Sequence, residues 1–107
     1  MTFDFNKATL RPDADAVLQQ VAAALQADPA TSVEIGGHTD NVGTKTYNEQ
    51  LSQERADAVK AWLVAHGVGA SRLTTKGYGD SMPVVRNTSD ANRARNRRVE
   101  LKKPNCG

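Results

Sequence analysis

Two stretches of helical periodicity, 13–28 and 46–66, alternate with short runs whose apolar residues recur at every second position. That alternation leaves few architectures open. Pro12 stands where a first helical turn begins, Asp13 and Asp15 suit the positive end of a helix dipole, and Asp28-Pro29 ends the pattern. Between them Val17, Leu18, Val21 and Leu25 recur at helical spacing. The second helix is expected to start at the capping box Thr46-Tyr47-Asn48-Glu49 and to run to His66, where Gly67 supplies a left-handed stop. Strands are expected at 2–5, at "SVEIGG" (32–37), at "RLTTKGYG" (72–79) and at "RRVELK" (97–102), the last preceded by a short helix in "NTSDANRARN" (87–96). The order βαβαβ(α)β predicts an α/β (α+β) two-layer sandwich, a mixed four-stranded sheet covered on one face by helices. Right-handed crossovers make the strands joined by long helices parallel, and the last connection is free to reverse direction.

With 107 residues, 38% of them hydrophobic and 24% charged, the chain is expected to form a single domain spanning 1–107, its last residues a short tail. A net charge of +2 is too small for a general nucleic-acid binder. No apolar run approaches the roughly 20 residues that cross a bilayer, and the N-terminus lacks signal-peptide features. The chain is expected to be soluble and, opening directly on "MTFDF", to be a piece of something longer. The lone Cys106 has no partner for an intramolecular disulfide.

Two charges contradict a bland core. On the second helix Leu51, Ala58, Val59 and Trp62 form an apolar stripe, and Arg55 falls near its middle. A desolvated guanidinium needs an acceptor, and Glu54 and Asp57 face elsewhere, so the acceptor is sought in the preceding loop, which supplies Asp40. That loop lies in the crevice where open α/β sheets place ligands. On the last strand Arg97 is in phase with Val99 and Leu101 and so faces inward at the strand's start, the end that Asn6 also reaches. At this level Asp40 and Arg55 form either a structural ion pair or a ligand site.

Other chemistries fail on spacing. His38 and Asp40 have no third zinc ligand nearby, since His66 lies at the far end of its helix, and no metal site is expected. No nucleophile and base sit together, and no glycine loop with a lysine leads into a helix to cradle phosphate, so no cofactor is expected. The basic residues Arg93, Arg95, Arg97, Arg98, Lys102 and Lys103 lack interleaved aromatics for base stacking, which favours a solvated basic face over nucleic acid.

The blocks "FDFN", "GHTDNVG", "YNEQLSQERADAVKAWL", "SRLTTKGYGDSMPV" and "ARNRRVEL" resemble, in order and spacing, the OmpA-like C-terminal domain, also found in peptidoglycan-associated lipoproteins and flagellar stator proteins. The resemblance covers nearly the whole chain. It implies an α/β sandwich that is not an enzyme and that binds peptidoglycan noncovalently through the diaminopimelate of the stem peptide. It implies a periplasmic domain whose parent is anchored in the outer membrane, without membrane insertion by the domain itself. By position, Asp40 and Arg55 match the family's central aspartate and arginine, and Thr39, Asn48, Asn6 and Arg97 match accessory pocket positions. Gly36 and Gly37 are then expected to let a ligand approach closely, with His38 as scaffold. The competing expectation is a protein-interaction or oligomerisation module in which Asp40 and Arg55 are merely structural.

Overall fold

The computed structural model describes residues 1, 3 and 7–102. Helix α1 (Ala14–Ala27) leads to strand β1 (Val33–Gly37), and helix α2 (Lys45–Ala65) crosses to strand β2 (Leu73–Gly77) through a turn of 3-10 helix at Ala70–Arg72. A short helix α3 (Asp90–Asn96) precedes strand β3 (Val99–Lys102). The sheet order is β2-β1-β3, with β1 parallel to β2 and antiparallel to β3. The parallel pair is the one joined by the long helix, as the crossover rule requires.

Among the described residues the sheet has three strands and is mixed. The expected first strand at 2–5 falls mostly outside them, as do Asn6 and Cys106. Backbone bonds from Phe3 N–H to Arg97 O (2.7 Å) and from Val99 N–H to Met1 O (3.0 Å) attach the described N-terminal residues beside β3.

Helices and sheet meet over a core of Leu18, Leu25, Ile35, Val59, Leu63, Leu73 and Val99, all buried. Each such side chain contributes about 1.5–3 kcal/mol when fully withdrawn from water. Helix α2 lies unusually close to the sheet. A Cβ on Gly37 would sit 1.8 Å from the Ser52 carbonyl oxygen, and one on Gly77 2.6 Å from the Gln53 nitrogen. The close approach expected of a ligand at Gly36 and Gly37 is therefore made by the protein: α2 occupies the space over Gly37, and the Tyr78 ring lies over Gly36, 2.9 Å from where a Cβ would stand.

Three local expectations shift. The cap of α2 is Thr44, whose hydroxyl accepts the Tyr47 N–H (3.1 Å), so the helix starts earlier than the box at Thr46 implied. Val17 is exposed, because Ala14, Leu18, Ala22 and Leu25 form the buried line of α1. Trp62, expected in the core, packs only partly against it: its Nε1–H donates to Asp15 (3.2 Å) and its ring stacks on His66.

Candidate functional site

Beyond the C-terminal end of β1 the chain turns through His38, Thr39 and Asp40, all buried although polar. Buried backbone in such a turn must be satisfied, and three elements do so. His38 N–H donates to Arg98 O (2.8 Å), Thr39 N–H to Gly79 O (2.9 Å), and the Thr39 hydroxyl to Asp40 O (2.9 Å). From α2, Asn48 Nδ2 reaches the same Asp40 carbonyl at 3.5 Å, and Arg55 Nη1 donates to His38 O at 2.9 Å. Ser52 completes the support: its hydroxyl accepts Gly79 N–H (2.9 Å) and donates to Glu49 O (2.7 Å).

The Asp40 carboxylate is 4% exposed. One oxygen caps the turn by accepting Val42 N–H (3.0 Å), and the other accepts Arg97 Nη1–H at 3.1 Å. Arg97 is held in turn by donating from Nε to Phe3 O (3.0 Å). Asp40 thus carries an ion pair with Arg97, a partner 57 residues away, where the sequence pointed first to Arg55. Arg55 is fully buried, donates from Nε to Lys7 O (2.8 Å), and lies 5.3 Å from the centre of the Phe3 ring. Burial, followed by the like charge of Arg97, pushes its pKa down to about 10, with Asp40 pulling the other way, so it remains a cation at neutral pH.

Thr39, Asp40, Val42, Asn48, Leu51, Arg55 and Arg97 enclose a cavity of about 10 Å³, the space of roughly one water. Five of the six site residues expected from sequence line it; the sixth, Asn6, is outside the described residues. One buried carboxylate and two guanidinium groups therefore converge on one small space, an arrangement suited to a ligand bearing both an ammonium and a carboxylate.

The sequence profile of the OmpA family matches residues 2–97. The chain belongs to the OmpA family. It is 49% identical over 98 residues to outer membrane porin F of Pseudomonas fluorescens, covering 92% of this chain and 30% of that porin. The chain thus spans under a third of that relative's length. Among solved structures, the peptidoglycan-associated lipoprotein of Burkholderia pseudomallei superposes with a TM-score of 0.90 at 37% identity, over 94% of this chain and 85% of that one. The cell wall anchor of the T6SS from Pseudomonas aeruginosa gives 0.78 at 38% identity, over 94% and 72%. The mixed sheet and three α-helices of the described residues match the fold of OmpA-like domains.

Sequence reasoning missed several residues of this OmpA-family domain. Ser52 lies three positions before Arg55, on the same side of α2, and a small hydroxyl in an apolar stripe is the signal that was available. Asn96, fully buried, accepts Val84 N–H (2.8 Å) and Val85 N–H (3.2 Å) and donates to Val85 O (2.9 Å), fixing the loop before α3. His38 is stacked on Tyr78 with ring centroids 5.1 Å apart, and its buried Nδ1 has no hydrogen-bond partner among the described residues. Burial, then the positive charge of Arg98, holds its pKa at about 4, against an opposing pull from Glu100. Among the described residues no three of His, Cys, Asp and Glu gather as metal ligands, and no helix is long and apolar enough to cross a membrane.

Proposed function

We propose that this domain binds peptidoglycan noncovalently, taking the free end of diaminopimelate in the stem peptide. The observation that carries the reading is the convergence of buried Asp40 with Arg55 and Arg97 on one cavity. Diaminopimelate keeps an ammonium and a carboxylate on one side-chain carbon. Asp40 takes the ammonium, and the guanidiniums of Arg55 and Arg97 take the carboxylate, for which their planar forks are matched. Because the cavity is small and Arg97 already holds Asp40, the ligand's ammonium replaces Arg97 at the aspartate, and Arg97 turns to the incoming carboxylate. The exchange keeps every buried charge paired. Thr39 and Asn48 hold the Asp40 carbonyl and fix the carboxylate's position, and Asn6 is assigned an accessory contact.

Family membership supports a wall-anchoring, non-catalytic role, since its relatives include a peptidoglycan-associated lipoprotein and a cell wall anchor. The domain is assigned to the periplasm, in a parent protein held by the outer membrane, where it tethers that membrane or an envelope complex to the wall. The test is sedimentation with purified murein. Asp40→Asn keeps the shape but loses the charge facing the ammonium, and affinity should fall at least about 100-fold. A folded variant that still sediments would instead favour an interaction module in which the Asp40–Arg97 pair is a strut.

A further inference from the structure

Beside the small cavity runs a groove of about 420 Å³, lined by Asp40, Val42, Asp90, Arg93 and Arg97. Asp40, Val42 and Arg97 line both spaces, so the groove is the approach to the cavity. The cavity admits only the charged tip of a ligand, and the rest of any molecule held at Asp40 lies in the groove, which has the volume of a site for a small molecule or short peptide. Half-exposed Val42 gives the groove an apolar wall against which methylenes can lie. Arg93 of α3 provides a guanidinium there in addition to Arg97, and the cavity does not use it.

We propose that Arg93 is a specificity residue that receives a second carboxylate of the stem peptide; this rests on the murein reading above. Arg93 pairs with the carboxylate of Asp90, which is 99% exposed, and donates weakly to Asn87 O at 3.4 Å. An exposed pair of this kind contributes little, so a ligand carboxylate displaces Asp90 at small cost. Arg97 differs: its partner Asp40 is buried, and its Nε is committed to Phe3 O. Arg93 is therefore the guanidinium of the groove that can change partners without uncovering a buried charge. The stem offers two carboxylates beside the diaminopimelate tip, the α-carboxylate of the preceding γ-linked glutamate and the backbone carboxylate of diaminopimelate itself when no alanine follows. Both present the same fork to Arg93.

Calorimetry on the intact domain separates these cases, using diaminopimelate with one of its two carboxylates amidated (the monoamide), the alanyl-γ-glutamyl-diaminopimelate tripeptide, the same tripeptide with its glutamate amidated, and the tetrapeptide extended by alanine. Arg93→Gln should weaken the tripeptide about tenfold, one charge-assisted pair, while leaving the diaminopimelate monoamide, which has no second carboxylate, within about twofold. Asp90→Asn, which removes the competing carboxylate, should tighten tripeptide binding. If amidation abolishes the sensitivity to Arg93, the glutamyl carboxylate is the one received; if extension by alanine abolishes it, the diaminopimelate backbone carboxylate is. Equal tripeptide affinity in parent and Arg93→Gln overturns the proposal, and so does an equal loss for tripeptide and diaminopimelate monoamide, which would make Arg93 a support of α3. Failure of the diaminopimelate monoamide to bind the parent would instead refute the underlying murein reading, and the proposal with it.

Discussion

The two ends of the sheet each carry an arginine that holds backbone carbonyls, and they differ in what else is present. At the entry to β2, Arg72 donates from Nε to Thr31 O (2.9 Å) and from Nη2 to Leu25 O (2.6 Å) and Asp28 O (2.7 Å). Those are the last carbonyls of α1 and the turn after it, which a helix end leaves without intrahelical partners. At the opposite end Arg55 donates to Lys7 O and His38 O, and there a buried carboxylate and a second arginine share the cavity. A guanidinium on carbonyls alone closes a fold. In the function proposed above, the carboxylate beside Arg55, held by a partner it can exchange, is what makes that end a receptor.

Applying one conservative change to both ends breaks or upholds this contrast. Arg55→Lys should weaken murein binding about 100-fold, because an ammonium cannot make the planar two-bond fit to a carboxylate. Paired calorimetry and thermal melts check it; a variant that binds like the parent but melts far lower would make Arg55 a strut like Arg72. Arg72→Met should leave murein affinity unchanged while lowering stability by about 2–3 kcal/mol, since it strips partners from carbonyls of Leu25, Asp28 and Thr31. Urea unfolding measures that loss, and a change in affinity would erase the contrast.

The smallest effect concerns pH. His38 is kept neutral, with a pKa of about 4 against 6.5 when unfolded, by burial and by the nearby Arg98 and Lys102, opposed by Glu100. The unfolded chain then binds a proton that the fold refuses. Stability is complete above about pH 6.5 and falls as pH drops toward 4, by about 2 kcal/mol between pH 7 and 5. His38→Gln should flatten that slope in melts across the range, whereas Arg72→Met should leave it intact.

Much of this was legible in the sequence, and the misses have physical causes. The crossover and its parallel pair follow from the lengths of the periodic stretches, because a strand-to-strand return of that length needs a helix between. Arg55 was legible because a charge in an apolar stripe must be explained. The pairing of Asp40 with Arg97 was not, since it joins positions 57 apart that only the antiparallel β1–β3 register brings together. The two glycines of β1 misled for a related reason: "GG" signals a close approach without naming what approaches, and here it is α2 and Tyr78. Thr44 and Thr46 both offer a hydroxyl near the helix start, and the first is followed at the third position by the N–H it caps.

The central claim, that Asp40 and the two arginines read an ammonium and a carboxylate on one carbon, is tested most directly by titrating the domain with two otherwise identical stem tripeptides, one with diaminopimelate and one with lysine at the third position. Lysine keeps the ammonium and lacks the carboxylate, so Arg55 and Arg97 lose their acceptor while Asp40 keeps its donor. The diaminopimelate stem should bind at least about 100-fold more tightly, a preference that Arg55→Lys largely removes. Equal affinity for the two stems in the parent protein would contradict the account.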